Sequence, residues 1–369
     1  MKTKKTNRYG NGLKKFGLCA FTAALISVNV CQPYIYPVYA DDVQEESSAC
    51  QENTDIEESG AQAEIETMYI STVDDFLEFA ANCYIDSWSV NKKIVLRNNL
   101  DFTGRELVMV PVFAGEFDGN GHTISGIDFT GESYVTAIFR YVEENGVIDS
   151  LNVKGNISAL DEQECVGGIV GSNYGTIKNC SFEGTVNGKN TIGGIAAFNK
   201  STGVIKKCEV KGRITGSYYT GGITGINHGI INNCANAAGI NDDSAWVESE
   251  DENSSNIIGN ITGNENSSIR SGIDTGGISG FSDGIIASCN NKGQVGYEHV
   301  GYNIGGIAGR QSGIILSCVN EGKVFGRKDI GGIVGQMEPY IEVVAAETIR
   351  NSVDELHDIL DRTFDDLTA

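Results

Sequence analysis

The chain has 369 residues, 47 of them Gly, 10 Cys and only 4 Pro, with a formal net charge of −22. Glycine at about 13% is well above the usual ~7%, yet the scarcity of Pro and the lack of a G-X-Y period exclude collagen and Pro-rich linkers. The acidic balance excludes sequence-independent nucleic-acid binding, because phosphates would be repelled.

Residues 1–40 read as a signal peptide. Lys2, Lys4, Lys5, Arg8, Lys14 and Lys15 precede an apolar run from Phe16 to Val30, and Val38-Tyr39-Ala40 suits cleavage after Ala40. The run of about 15 residues is short of the ~20 a membrane span needs, and an uncleaved anchor is the alternative. Neither Cys19 nor Cys31 follows the small residue a lipoprotein signal requires. Export to the cell surface or medium is therefore expected. Asp41 to Glu66 holds ten acidic residues and no basic one, the pattern of a disordered spacer. Over 67–90 a capping helix is expected. Ser71 or Thr72 would open it, Asp74 or Asp75 would close a capping box, and Val73, Phe76, Leu77 and Ala80 share one face.

From there the chain repeats. Gly-Gly-Ile begins at Gly167, Gly193, Gly221, Gly276, Gly305 and Gly331, spaced by 26, 28, 55, 29 and 26 residues. A second pattern follows the first five copies about ten residues later. It sets an Ile three residues before Cys180, Cys208, Cys234, Cys289 and Cys318. Ile148 with Leu151, and Ile124 with Ile127, read as earlier copies without Cys. A period of 24 to 30 residues signals a solenoid, whose units bury their apolar faces only by stacking. Helical units are excluded because glycine recurs within every ten residues or so, at about 1 kcal/mol each relative to Ala. Strand-sized pieces fit. The expected fold is all-β, a parallel right-handed β-helix of about eight or nine coils over 91–337, with three short strands per coil and Gly or Asn corners. Stacking predicts a ladder of inward Ile, a ladder of Cys and an amide ladder from Asn236, Asn291 and Asn320.

The units VGGIVGSNYGTIKNCSFEGTVNG (Val166 to Gly188) and IGGIAGRQSGIILSCVNEGKVFG (Ile304 to Gly326) resemble the GLUG motif of bacterial surface proteins. EFDGNGHTISGIDF (Glu116 to Phe129) resembles the stretch that often precedes such repeats. The resemblance runs from about Val95 to Gln336. It implies an exported bacterial protein with a β-helical array, of the kind that accompanies adhesins and the non-catalytic part of IgA-cleaving metallopeptidases. It carries no catalytic residue with it.

Candidate chemistry is sparse. None of His122, His228, His299 and His357 begins the His-Glu-x-x-His pattern of a zinc peptidase. Asp118, in Asp-Gly-Asn-Gly, is the best acid for a carbohydrate-cleaving β-helix, although that tetrapeptide is also ordinary turn chemistry. Arg310, Arg327 and Lys328 could form a basic spot, or simply a solvated face. In a parallel ladder the Cys side chains sit one rung apart, beyond the ~3.8 Å between Cβ atoms that a disulfide needs, so the thiols are expected reduced. One thiol per rung cannot build a tetrahedral metal site, and no cofactor is expected.

The 55-residue spacing equals two periods. Ile258 and Ile261 fall where a further rung would place its Ile and Cys, so a degenerate rung is expected there, with a looped insertion as the alternative. The excursion from Asn241 to Ser255 carries Asp242, Asp243, Trp246 and Glu248, the candidate ligand-binding residues, with a glycan or a host or cell-surface protein as partner. Beyond Pro339, over 338–369, Ile349, Val353, Leu356, Leu360 and Leu367 approximate heptad spacing. An amphipathic helix is expected there, capping the rod or pairing with another copy, and it has no Gly or Pro to end it before Ala369. The expected function is a non-enzymatic binding, adhesion or display module. The alternatives are a carbohydrate-active enzyme and a structural stalk of a larger surface protein.

Overall fold

The computed structural model describes residues 65–131, 133–159, 165–243 and 272–339. The coil from Thr176 to Asn199 shows how the sequence becomes structure. Thr176–Lys178 forms a strand, Asn179 adopts a left-handed conformation (φ 53°), and Ser181–Asn187 runs on as a second strand. After a short turn come Thr191–Gly193 and Ala196–Asn199, the third and fourth strands. The pattern repeats coil after coil. Like strands stack in parallel into four sheets, and the fourth holds eight strands, one per coil. The architecture is a parallel β-solenoid.

Four strands replace the expected three because Gly-Gly-Ile is a corner and not the middle of a strand. Gly193 ends the third strand and Ala196 begins the fourth, so Gly194 and Ile195 make the bend between them. A Cβ on Gly194 would stand 2.4 Å from the Gly222 carbonyl oxygen and 2.5 Å from Val210, closer than atoms tolerate. Only glycine lets successive coils approach this closely. Ile169, Ile195, Ile223, Ile278 and Ile307 fill the interior at this corner, each fully buried. On the first sheet Ile148, Ile177, Ile205, Ile231 and Ile286 are register neighbours, equally buried.

Three other expectations are corrected. The first concerns phase. Ile148 pairs with Phe117, not with Ile124, which lies instead beside Val153. Four residues, Gly119 to His122, make the first corner of that coil where later coils use two, so the Ile-Gly pattern slips. The second is the proposed degenerate rung. Ile231 pairs directly with Ile286, Thr224 with Ser279 and Asn236 with Asn291, so no rung separates them. The 55-residue spacing is one coil of ordinary length plus a looped insertion. Ile258 and Ile261 lie outside the described residues. The third concerns the N-terminal boundary. Glu66–Ile70 is a strand of the first sheet, paired with Lys92–Leu96, and the helix (α1) spans only Val73–Asn82. The amphipathic helix expected over 338–369 falls almost entirely outside the described residues.

Helix α1 begins as the sequence suggests. The Thr72 hydroxyl accepts from the Asp75 N–H, and the Asp75 carboxylate accepts from the Ser71 and Thr72 N–H groups. These bonds hold the Asp75 carboxyl below its usual pKa. The helix buries Phe76 and Phe79 over the first coils, where Phe79 meets the rings of Phe113 and Phe117 at 5.9 and 5.7 Å. Val73 and Leu77 are half-buried against the same core.

Two amide ladders run inside the rod. In the second sheet Asn236, Asn291 and Asn320 pass a side-chain hydrogen bond from coil to coil at 2.8 Å, as the spacing predicts. A second ladder, from Asn173 through Asn199 and Asn227 to Ser282, lines the corner between the fourth and first sheets. It had a sequence signal, an Asn six residues after the first Gly of three Gly-Gly-Ile copies. The Asn199 Nδ2 donates both to Asn227 Oδ1 and to the Gly203 carbonyl, while its Oδ1 accepts from Asn173. Removing it strands polar groups on both neighbouring coils. Asn199→Ala should therefore destabilise the protein by roughly 2–3 kcal/mol, read as a lower urea midpoint with unchanged slope; a midpoint within error of the parent would show that the ladder is dispensable.

Candidate functional site

Departures from regular coil length gather at one corner. Between the second and third sheets the chain uses residues 216–217 in one coil, 188–190 in another, 160–164 in a third and 241–272 in a fourth. In the coil after the long insertion, Gly296 to Gly301 form a small turn closed by an antiparallel bridge between Tyr297 and Val300. The other corners use two to four residues throughout the repeats. The reason is steric. The corner that carries Gly-Gly-Ile keeps two residues in each of its copies, and the two corners beside the first sheet, which pack on their neighbours through Cys or Asn, hold no more than four. The remaining corner can lengthen into solvent.

The structure separates the expected ligand-binding residues. Asp242 and Asp243 stand at the base of the insertion and both engage Arg213, the first at 3.0 Å from its Nε. The Asp242 carbonyl also accepts from Gln294 of the next coil at 3.2 Å. These carboxylates anchor the loop where it leaves the rod, which is a structural task. Trp246 and Glu248 lie outside the described residues.

Asp118 sits in a turn. Its Oδ1 accepts from the Asn120 N–H at 2.8 Å, and its other oxygen lies 3.7 Å from Lys93. Directly beside it on the first sheet is Asp149. Partial burial raises the Asp149 pKa, but hydrogen bonds from Asn179, Ser150 and Lys178 outweigh that and hold the carboxyl below its usual range. A carboxylate so held is a poor proton donor at neutral pH.

Arg310, Arg327 and Lys328 do not converge. Arg310 places Nε and Nη2 each 3.1 Å from Asp274 Oδ2, reaches Glu338 at 3.0 Å and lies over the Phe281 ring at 4.6 Å. Asn303 donates to the other Asp274 oxygen at 2.7 Å. Asp274 is the buried acid among the described residues, and desolvation raises its pKa in spite of these partners. Arg327 instead sits over Tyr302, and Lys328 lies 3.9 Å from Asp329.

Sequence reasoning missed the ladder to which Arg310 belongs. Tyr141, Ser172, Phe198, Ile226, Phe281 and Arg310 are successive register neighbours on the fourth sheet. The last four each lie five residues after the first Gly of a Gly-Gly-Ile copy, so the signal was present. Lys200 lies 4.2 Å above the Phe198 ring as Arg310 does above Phe281, so cations already cover these ring faces.

The five ladder cysteines follow left-handed residues at the corner between the first and second sheets: Asn179, Lys207, Asn233, Ser288 and Ser317. Each Sγ donates to the carbonyl two residues back, as Cys180 does to Lys178 at 3.1 Å and Cys289 to Ala287 at 3.2 Å. All five are free thiols, as is Cys83 at the C-terminal end of α1. Burial pushes the Cys83 thiol up to about 12, and hydrogen bonding with Cys234 helps push Cys289 to about 12. Among the described residues no three His, Cys, Asp or Glu side chains gather as a metal site requires.

Stacked four-strand coils punctuated by glycine corners define a repeat-built β-solenoid. The family model of the GLUG motif matches residues 162–187 of it. A 92-residue stretch is 39% identical to halomucin of Haloquadratum walsbyi, covering 24% of this chain and 1% of that protein. A 74-residue stretch is 36% identical to a protein of Evansella cellulosilytica named as a candidate Gly-rich membrane protein, covering 19% of this chain and 8% of the other. The chain thus spans only a small fraction of the curated relatives it matches. Among solved structures, a candidate immunoglobulin A1 protease from Bacteroides ovatus superposes with a TM-score of 0.50 at 16% identity, covering 75% of this chain and 84% of the other. At that identity the likeness concerns the fold alone. No helix among the described residues is long and apolar enough to cross a membrane.

The thiols give a pH prediction. The folded pKa of Cys83 and of Cys289 lies above the ordinary thiol value of 9.0, so only the unfolded chain loses those two protons between 9 and about 12. Stability is fully present below that window and falls as pH rises through it. The urea midpoint should drop between pH 8 and about pH 11, and Cys83→Ala should flatten part of the drop. At pH 8 the native ladder should resist Ellman's reagent and react fully in denaturant; a disulfide between Cys180 and Cys208 would contradict the free-thiol ladder.

Proposed function

We propose that the chain is an exported, non-enzymatic β-solenoid that displays binding loops at a cell surface. The observation that carries this reading is that, among the described repeats, the connections longer than four residues gather at one corner of the rod. Rigid stacked coils with function on the loops is a division seen widely in proteins, because loops vary without disturbing the scaffold. The basic, apolar and small-residue pattern of residues 1–40 supports export, and one relative is named as a membrane protein. Against the carbohydrate-active alternative stands the state of Asp118 and Asp149, adjacent carboxylates that both face lysines and turn amides. The insertion from 244 to 271 carries Trp246, an aromatic suited to stacking on a sugar ring.

Replacing residues 244–271 by a short Gly-Ser linker tests the division of labour. The variant should keep its β circular dichroism, with a Tm within a few degrees of the parent, because Asn241 and Ile273 at the two ends of the insertion already bond adjacent residues of the preceding coil, Gly216 and Ser217. On a glycan array the parent should give specific hits that both this variant and Trp246→Ala lose. Hits retained by both variants would move binding away from the insertion, and no hits from the parent would favour a stalk.

A further inference from the structure

The two ends of the rod differ. At the N-terminal end α1 covers the first coils with Phe76 and Phe79, both fully buried. At the other end all four sheets stop together, at Ile314–Leu316, Val319–Asn320, Lys328–Gly331 and Val334–Met337. Apolar side chains buried everywhere else are open there. Ile330 is 47% exposed where its register neighbour Ile304 is 1%, and Ile333 is 40% where Ile307, one coil inward, is 0%. Ile314, Leu316, Val319 and Met337 are exposed beside them. An uncovered solenoid end offers unpaired backbone edges and a patch of core side chains, the combination that drives aggregation, so stable solenoids close their ends with a different element.

Three observations identify the occupant. The first is position. The Glu338 N–H still bonds the Gln311 carbonyl at 2.8 Å, so the chain turns past the corner toward the first sheet, and Pro339 removes the next ladder donor beside Ile314–Leu316. The second is length and pattern. Residues 340–348 can reach about 30 Å, and residues 349–367, carrying the Ile349, Val353, Leu356, Leu360 and Leu367 stripe, would span about 28 Å as a helix. The third is charge. Residues 340–369 contain eight acidic and two basic residues, while the last coil presents the exposed cations Lys323, Arg327 and Lys328 within six positions. The acidic segment complements those cations.

We propose that residues 349–367 of the same chain lie across the last coil and close it, the apolar stripe on Ile330, Ile333, Leu316 and Val319 and the acids toward Arg327 and Lys328. The rod then carries a helix-type cap at each end. This goes beyond the display reading and does not depend on it. A photo-cross-linking residue, p-benzoylphenylalanine, placed at Leu316 or at Ile330 in the full chain tests it. Illumination of an equimolar mixture of ¹⁴N- and ¹⁵N-labelled protein, followed by peptide mass spectrometry, identifies both the partner segment and its chain. The expected result is adducts to peptides within 349–367 whose halves carry the same isotope. Leu356→Asp with Leu360→Asp should lower the yield about tenfold or more, and Arg327→Glu with Lys328→Glu should lower it about threefold at low salt and little at high salt. Mixed-isotope adducts would assign the end to a second copy, and adducts elsewhere or none would leave the segment unbound; any of these overturns the proposal.

Discussion

Everything in this protein depends on one constraint: no coil can satisfy its own backbone. Strands of two to nine residues have no partner within their coil, so each N–H and C=O along the sheets pairs with the coil above or below. Register follows at once, because a coil that slipped by one residue would turn its buried Ile to the solvent. The amide ladders obey the same rule at the level of side chains. Asn199 is satisfied only because Asn173 and Asn227 lie one coil to either side. Stability is therefore shared between neighbours, and each end of the stack must be closed by something that is not another coil.

The same constraint decides where variation is allowed. A glycine corner keeps two residues, and the thiol and amide corners hold at most four, because each touches the equivalent corner of the next coil. Lengthening is left to the corner between the second and third sheets. There the largest insertion is held at its base by Arg213 with Asp242 and Asp243, and coil stacking resumes at Gly272 without an intervening rung. Charged side chains elsewhere bridge neighbouring coils: on the first sheet Asp118, Asp149 and Lys178 are register neighbours, Lys178 pairs with Asp149, and Lys93 reaches Asp118 from one coil away. Their carboxylates bind neighbours and do not converge on a common point.

Much of the architecture was legible because repetition makes errors cancel. Six Gly-Gly-Ile copies and five Cys positions fix the period, and the stacking of Cys180 to Cys318 and of Asn236, Asn291 and Asn320 follows from period alone. The capping box at Thr72 and Asp75 was equally readable, being local. Reading failed where one copy departs from the rest. The spacing sets Ile124 as the counterpart of Ile148, but a four-residue corner shifts the phase, and Phe117, the true partner, carries no repeat signature. The Asn173–Asn199–Asn227 ladder and the Phe198–Ile226–Phe281–Arg310 row had signals at fixed offsets, but inward and outward positions look alike in sequence when both are apolar or amide.

The sequence by itself determined the class of fold, the rung period, the Ile, Cys and Asn236–Asn291–Asn320 ladders and the amphipathic N-terminal helix, because each is set by local geometry, repeated many times in all but the last. Tertiary structure alone decided that a coil has four strands, that a 55-residue gap is a loop and not a hidden rung, and that Asp242 and Asp243 anchor the insertion through Arg213. Those outcomes depend on which residues meet across coils. A spacing of two periods is the same number whether a rung fills it or a loop bypasses it; the direct pairing of Ile231 with Ile286 and the hydrogen bond from Asn236 to Asn291 tell them apart, because each reaches one coil and no further.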